Sequence, residues 1–400
     1  MQALIVNIFA TFLLGVTVIA LFKRLSPALN LVDKPDRQRK HHRGAVPLCG
    51  GIAILAAFFL ASLVEGRQGP MAVNFWVGML FLVLLGLIDD RWPLPALGRL
   101  VVQLVIAVML VDSTDIGQLS LGVLLSDLDV LLPLYFAIGV LFIVGLVNAW
   151  NMQDGVDGLA GGTAAVVVCW LMLIAANVGM IDLVLSLETL TICICAFLVF
   201  NMRSPWRARA SVFLGDAGST SLGAVIAYAI LLLATGDGVN AFPSLLWLVI
   251  VPVLDTLSLM VRRMAAHRSP MSADRWHLHH LLLDLGFTPG AATMALTLAT
   301  ALCGAVGYAG IRLQIPGEIM ALLLVIPVGV HTAFILAATG FATRRRLRRV
   351  PLVRRQAVPA PVASMQLPAS ALTLPRRADL SERSADTLAT PRADKLGLPS

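Results

Sequence analysis

Four polar clusters interrupt the apolar runs of this chain, and each carries side chains that can bind cations or phosphates. The clusters are GLIDDRW, NMQDGVDG, FLGDAGS and ADRWHLHH, and their candidate residues are Asp89, Asp90, Asn151, Asp154, Asp157, Asp216, Asp274, His277, His279 and His280. Magnesium takes carboxylate oxygens, usually one or two of them beside substrate phosphates. Imidazole titrates near neutrality and can donate to a pyrophosphate. These residue types indicate a divalent cation and phosphoryl transfer.

Each cluster also has an ordinary structural interpretation when it is taken alone. Asp89 and Asp90 could end a helix, and Asp216 could cap one. Asp154 and Asp157 lie among glycines and fit a plain turn. All four clusters lie at or beside the ends of apolar runs, and this shared placement favours a functional site. Charged groups are costly in hydrocarbon and usually mark function where they are retained.

The first polar loop, DKPDRQRKHHRG, adds Lys40 and Arg43 as candidate phosphate partners. A loop of this charge is equally explained as a topology anchor. The zinc-peptidase pattern HEXXH does not occur, and a tight His-X-His-His cluster without cysteines is weak evidence for structural zinc. The chain has no Walker A motif and no glycine-rich dinucleotide motif, so a soluble nucleotide-binding fold is unsupported.

The elements that must position these clusters are membrane helices. Of the 400 residues, 58% are hydrophobic and 13% are charged, whereas a soluble domain is about 25% charged. A spanning helix needs ~20 mainly apolar residues. We predict an all-α polytopic membrane protein with about eleven spans, at 2–22, 46–64, 72–88, 97–111, 130–147, 159–181, 183–200, 212–233, 241–261, 288–311 and 315–340.

The distribution of basic residues predicts the orientation of these spans, because cytoplasmic loops carry the excess of Lys and Arg. On one side of the predicted membrane, the loops contain only two basic residues, Arg67 and Arg312. The other side holds 21 Lys and Arg, in the segments 23–45, 89–99, 148–158, 201–211, 262–287 and 341–349. We therefore predict a periplasmic N-terminus, a cytoplasmic C-terminus and a cytoplasmic face for all four polar clusters.

The C-terminal segment differs in composition from the rest of the chain. From Arg344 onward it has 12 Lys and Arg against 4 Asp and Glu, so it accounts for the formal net charge of +7. Its basicity belongs to a tail and not to a nucleic-acid-binding face. We predict a multi-pass domain at 1–343 and a basic, disordered cytoplasmic tail at 344–400.

Six motifs occur in an order that resembles the polyprenyl-phosphate N-acetylhexosamine-1-phosphate transferases. They are LVDKPDRQRKHHRGAVPLCGG, LGLIDDRW, NAWNMQDGVDGLAGG, FLGDAGSTSLG, PVLDTLSLMVRR and SPMSADRWHLHHLLL, and they cover about residues 1 to 340. Members of this family move a sugar-1-phosphate from a UDP-sugar to a lipid phosphate in the membrane. The segments VPLCGG and HLHH resemble the WecA-type branch, whereas the peptidoglycan branch (MraY) has a TPTMGG-like segment and three consecutive histidines.

The resemblance implies a role for each candidate residue. Asp89 resembles the residue proposed to deprotonate the lipid phosphate, and Phe213 the aromatic that stacks on uracil. The implied catalytic residues are Asp89, Asp90, Asp154, Asp157 and His279. The implied metal ligands are Asp216 and Asp90, for Mg²⁺ with Mn²⁺ as a substitute. The implied substrate-binding residues are Lys40, Arg43, Asn151, Phe213, His277 and His280.

The implied reaction is transfer of N-acetylglucosamine-1-phosphate from UDP-N-acetylglucosamine to undecaprenyl phosphate. Its products are a lipid-linked pyrophosphoryl sugar and UMP, in the first membrane step of O-antigen, common-antigen or other envelope polysaccharide synthesis. The implied location is the bacterial cytoplasmic membrane. Three alternatives stay open: the muramoyl-pentapeptide transferase of the peptidoglycan branch, an ion-coupled transporter, whose site would lie near the bilayer midplane in repeated halves, and a non-catalytic scaffold.

Overall fold

A computed structural model describes residues 2–33, 44–66, 71, 73–114, 116, 132–235, 242–271 and 276–349. These residues form α-helices and one short antiparallel hairpin. The elements are α1 (Gln2–Leu25), β1 (Val32–Asp33), β2 (Val46–Pro47), α2 (Gly50–Val64), α3 (Val73–Arg91), α4 (Ala96–Asp112), α5 (Leu132–Gln153), α6 (Leu159–Asn177), α7 (Ile181–Asn201), α8 (Gly215–Thr235), α9 (Phe242–Leu246), α10 (Ile250–Ala265), α11 (Leu278–Leu285), α12 (Pro289–Arg312), α13 (Gly317–Leu323) and α14 (Val325–Arg349).

Each of the eleven predicted segments corresponds to one helix or to an interrupted pair. The segment 241–261 is divided into α9 and α10, and 315–340 into α13 and α14. Both interruptions precede a proline, Pro252 and Pro327, whose missing N–H removes the hydrogen bond to the carbonyl four residues earlier. The short helix α11, which carries His279 and His280, was not predicted.

Eight helical spans in the described part of the chain are long and apolar enough to cross a membrane. Seven are single helices, α1, α3, α5, α6, α7, α8 and α12, and the eighth runs over Gly317–Gly340. The other three predicted segments correspond to α2, α4 and the α9–α10 pair, whose helices have at most 17 residues. The protein is therefore a polytopic, mainly helical membrane protein.

The helix α8 lies at the centre of the bundle and packs against α2, α3, α5 and α6. Almost every one of its side chains is buried. Its first half, GDAGSTSLGAV, is composed mostly of small residues, which let neighbouring helix backbones approach closely in a membrane. The first turn of this central helix carries Asp216.

The helix ends that carry the predicted clusters meet at one face of the bundle. Arg91 donates to the carbonyl of Leu29 at 2.6 Å, the amide of Gly50 to Phe213 at 2.9 Å, and Arg203 to Asp157 at 2.8 Å. We call this the site face; it comprises residues 26–33, 44–49, 92–95, 154–158, 202–214 and 266–271. The structure thus confirms that the clusters share one side.

The last described helix extends beyond the predicted end of the membrane domain. Helix α14 continues to Arg349 and so includes residues 344–349, which the sequence assigned to the tail. Residues 350–400 lie outside the described residues, as do Lys40, Arg43 and Asp274.

Candidate active site

Asp90 lies against the first turn of α8. The amide of Asp216 donates to Oδ1 of Asp90 at 3.0 Å. Gly215 begins the helix with φ of +74°, and a Cβ there would lie 2.7 Å from Oδ2 of Asp90. A side chain at position 215 would therefore be both strained and obstructed. Glycine at this position is what lets the Asp90 carboxylate approach the start of α8.

Asp89 points to a different partner, as expected for adjacent positions on a helix. Its Oδ1 accepts from the amide of Leu94 at 2.7 Å, and its Oδ2 accepts from Nη1 of Arg99 in the first turn of α4. The same nitrogen lies 3.7 Å from Oδ2 of Asp216. Arg99 therefore connects the two carboxylates, which come from α3 and α8.

Asn151, in the last turn of α5, completes this group. Its Nδ2 donates to Oδ1 of Asp216 at 2.8 Å and to Oγ of Ser219 at 3.1 Å. A small cleft opens beside these contacts, lined by Leu85, Gly86, Asp89, Arg99, Gln103, Asn148, Asn151, Asp216 and Thr220. Four of the predicted site residues, Asp89, Asp90, Asn151 and Asp216, thus converge directly.

Asp154 and Asp157 do not act as a pair on one helix face. Helix α5 ends at Gln153, so both residues lie in the turn before α6. Oδ2 of Asp157 accepts from Nε of Arg203 at 2.8 Å and from the amide of Ala210 at 3.1 Å. Asp157 therefore fastens the segment between α7 and α8 to this turn. The role that the resemblance gave it among the catalytic residues stays a prediction.

Asp154 is the other acid of this turn. Desolvation by burial, and after it the negative charges of Asp90 and Asp157, together raise its pKa to about 7. A carboxyl group with a pKa near neutrality can accept a proton and release it again. Asp154 therefore has the protonation behaviour of a general base.

The histidine cluster contacts the turn that carries Asp154. A Cβ on Gly155 would lie 2.3 Å from Nε2 of His279, so the imidazole packs directly on that glycine. The rings of His277 and His279 are stacked 5.4 Å apart, and His280 lies 4.3 Å from His279. Buried Asp255 holds the cluster in place, through Nδ1 of His277 at 3.3 Å and the amide of Leu278 at 2.9 Å.

Phe213 belongs to a backbone connection between α8 and the start of the chain. Its amide donates to the carbonyl of Pro47 at 2.8 Å, and its own carbonyl accepts from Gly50. The hairpin of β1 and β2 is thereby placed next to the segment that leads into Asp216. Its strands flank residues 34–43, which contain Lys40 and Arg43.

The donor set at this site suits magnesium. The oxygens near the first turn of α8 are those of the carboxylates of Asp89, Asp90 and Asp216 and of the side-chain amide of Asn151. Oδ2 of Asp90 is buried and has no hydrogen-bond partner among the described residues. Within the same residues, no three histidine, cysteine or acidic side chains form a ready-made metal cluster. The unpartnered oxygen of Asp90 fits an ion that takes one or two protein carboxylates and completes its shell with phosphates and water.

Arg99 and Arg203 are site residues that the sequence reasoning missed. In the sequence, both stand out only as basic loop residues that indicate the orientation of the spans. Arg99 had a recognisable signal, because it is a lone charge at the start of an apolar run, ten residues after Asp89. Arg203 had none, since its pairing with Asp157 depends on how two distant turns meet.

A bundle of apolar helices with carboxylates converging at one end of its central helix fits a membrane-embedded enzyme. The model of glycosyl transferase family 4 matches residues 72–234. The undecaprenyl-phosphate alpha-N-acetylglucosaminyl 1-phosphate transferase of Yersinia pestis is 30% identical over 86% of this chain and 92% of its own length. The proteins of that name from Salmonella typhi and Escherichia coli (strain K12) are 31% and 29% identical, over 86% of this chain and 95% of theirs. The chain belongs to glycosyl transferase family 4.

Proposed function

We propose that this protein transfers N-acetylglucosamine-1-phosphate from UDP-N-acetylglucosamine to undecaprenyl phosphate and releases UMP. The observation that carries the proposal is the convergence of Asp89, Asp90, Asn151 and Asp216 at the first turn of the central helix. The names of the relatives support the same donor and acceptor.

In the proposed reaction, an oxygen of the lipid phosphate attacks the β-phosphorus of the donor. The bond from that phosphorus to the oxygen bridging the two phosphates breaks, and UMP leaves with the bridging oxygen. A new pyrophosphate bond joins the lipid to the sugar phosphate. We favour this direct route over a covalent aspartyl intermediate, because a phosphate is already a competent nucleophile once its proton is gone.

Asp216 and Asp90 would hold Mg²⁺, with Mn²⁺ as a substitute. When bound, the ion neutralises charge that develops on the phosphate oxygens. Asn151 supports Asp216 by donating to its Oδ1 at 2.8 Å. The amide of Asp216 fixes the Asp90 carboxylate at 3.0 Å. These two contacts orient the carboxylates before substrate binds. Groups that are oriented in advance stabilise the charge of the transition state without having to reorganise during the reaction.

Asp154 is better suited than Asp89 to accept the proton of the lipid phosphate. Both oxygens of Asp89 accept from donors, Leu94 and the cationic Arg99, and such donors stabilise the carboxylate and weaken it as a base. The pKa of Asp154 is raised to about 7. We therefore assign Asp89 to positioning and Asp154 to proton transfer. The histidines beside Asp154 would donate to the donor's pyrophosphate.

The test follows the donor's β-phosphate. Purified protein in detergent receives UDP-N-acetylglucosamine labelled with ³²P at the β-position, undecaprenyl phosphate and Mg²⁺. Sugar-phosphate transfer puts the label in the lipid and releases unlabelled UMP, whereas transfer of the sugar alone leaves the label in UDP. Unlabelled lipid, under conditions in which a WecA-type relative labels it, would contradict the proposal.

A matched pair of variants tests the site. Asp216→Asn should lose about 10³-fold in rate, because it removes charge stabilisation at the reacting phosphates. Asp182→Asn makes the same change at an exposed position at the start of α7, on the opposite face, and should keep wild-type activity. Full activity in the Asp216 variant would show that Asp216 is not the metal ligand that the proposal requires.

Donor choice separates this proposal from the peptidoglycan branch. VPLCGG and HLHH favour UDP-N-acetylglucosamine, so the muramoyl-pentapeptide donor should give no lipid product. An ion-coupled transporter is disfavoured because the carboxylates lie at one end of the bundle and not at its middle. Accumulation of a substrate in proteoliposomes without any covalent product would favour that alternative.

We also propose the finer topology: eleven spans, a periplasmic N-terminus and a cytoplasmic C-terminus in the bacterial cytoplasmic membrane. The proposed domains are a membrane domain and a basic cytoplasmic tail that begins beyond α14. The supporting observations are the 21 Lys and Arg on one side against two on the other. The site would then open to the cytoplasm, where a UDP-sugar is available. We place the reaction at the first membrane step of envelope polysaccharide synthesis.

A further inference from the structure

We propose that Arg99 acts as a stand-in cation: its guanidinium neutralises Asp89 and lies beside Asp216, and a divalent cation must displace it from Asp216 in order to bind. The inference rests on the metal site of the proposed function and adds a competitor for it. It predicts that Arg99 weakens cation binding, which is the opposite of what a supporting residue would do.

Arg99 lies close to both carboxylates. One nitrogen of Arg99, Nη1, donates to Oδ2 of Asp89 and also lies 3.7 Å from Oδ2 of Asp216. Oδ1 of Asp216 accepts from Asn151, and we assign Oδ2, the oxygen that faces Arg99, to the cation. The positive charge of the guanidinium therefore lies next to the carboxylate oxygen that we assign to the ion.

Arg99 holds Asp89 more tightly than it holds Asp216. Asp89 is held by Arg99 in a direct hydrogen bond and by the amide of Leu94 on its other oxygen. The separation of 3.7 Å from Asp216 exceeds that of a hydrogen bond. The contact with Asp216 is thus the one that can be exchanged while Arg99 stays on Asp89.

The charges of the two carboxyl groups also favour a cation between them. Asp89 and Asp216 come from two helices, and where both are ionised they repel each other unless a cation lies between them. The side chain of Arg99 is 34% exposed and borders the cleft, so it has room to withdraw from Asp216. A guanidinium displaced in this way remains beside a site that we expect to bind phosphates, and its free charge would attract them. Cation binding and phosphate binding would therefore favour each other.

The experiment measures metal binding and not turnover. Purified full-length protein at pH 8, without nucleotide, is titrated with Mn²⁺, and free Mn²⁺ is followed by its electron paramagnetic resonance signal. Arg99→Gln should bind Mn²⁺ about tenfold more tightly than wild type, because it removes a unit charge a few ångströms from the ligand oxygen. Equal or weaker binding by this variant would overturn the inference.

Two further variants control for charge and for folding. Arg91→Gln removes a basic residue at the same face that is bound instead to the carbonyl of Leu29 and stacked on Trp92, so its affinity should stay within about twofold of wild type. Arg99→Lys keeps a positive charge beside Asp89, so it should bind Mn²⁺ more weakly than Arg99→Gln does. If the Lys variant bound as tightly as the Gln variant, charge competition would not be the cause, and the inference would be wrong.

The same titration separates this inference from the metal site itself. If wild type and all variants, with unchanged thermal melting, failed to bind Mn²⁺, the metal assignment would fail and the inference with it. If wild type bound Mn²⁺ and Arg99→Gln bound it equally, only the stand-in role would fail.

Discussion

At the scale of single residues, the contact between Gly155 and His279 restricts which side chain position 155 can carry. A Cβ on Gly155 would lie 2.3 Å from Nε2 of the imidazole, so Gly155→Ala must displace the ring. We expect activity to fall about tenfold or more, because a shift of ~1 Å in a catalytic group can cost 10²-fold. Thermal melting in detergent should change little, since the residue lies in a turn.

A neighbouring glycine provides the control for that substitution. A Cβ on Gly162, in α6, would lie 3.6 Å from Oγ1 of Thr297, an ordinary contact distance. Gly162→Ala should therefore keep both activity and melting temperature. Full activity of Gly155→Ala would mean that the position of His279 does not matter for turnover.

The raised pKa of Asp154 predicts the pH dependence of turnover. The proposed base must be unprotonated, so kcat/KM should rise as the pH increases through about 7. Asp154→Asn should lose about 10²- to 10⁴-fold and show no rise in this range. Asp157→Asn serves as the matched substitution. It should keep the rise but at a lower pH, because the charge of Asp157 contributes to the raised pKa of Asp154. A rise near pH 7 in the Asp154 variant would assign proton transfer to another group.

At the scale of elements, the crossing of α3 over α8 determines where Asp216 lies. A Cβ on Gly86 would come within 2.3 Å of the Ala217 backbone and 2.7 Å of the Asp216 carbonyl carbon. Because both are backbone atoms, Gly86→Ala must separate the two helices. We expect a loss of about 1–3 kcal/mol in stability, as for other overpacked interiors, together with a loss of activity.

The control for this crossing is a glycine in another membrane helix. A Cβ on Gly145, in α5, would meet nothing within 4 Å, and alanine is the better helix former by about 1 kcal/mol. Gly145→Ala should therefore melt at or slightly above the wild-type temperature. Thermal melting and the lipid-labelling assay together check both variants. Unchanged melting and activity of Gly86→Ala would show that α3 and α8 can separate without cost.

At the scale of the whole molecule, the sequence predicted the helices and the shared face better than the contacts within the site. Apolar runs and basic loops report on the bilayer directly, so eleven segments and one common side followed from composition. The convergence of Asp89, Asn151 and Asp216 was implied by motif order alone. The partners of Arg99 and Arg203 depend on how α4 and the segment after α7 pack in three dimensions, and no local pattern encodes that.

The orientation of the bundle is the prediction that decides whether the site can meet a cytoplasmic donor. Trp206, 93% exposed, lies on the site face between α7 and α8, and Leu313, 72% exposed, follows α12 at the opposite face. Because basic loops stay in the cytoplasm, a membrane-impermeant maleimide should label Leu313→Cys in intact spheroplasts. Trp206→Cys should be labelled only after permeabilisation. Wild-type protein measures the background from the five native cysteines. Labelling of Trp206→Cys in intact spheroplasts would invert the topology and place the site outside, away from any UDP-sugar.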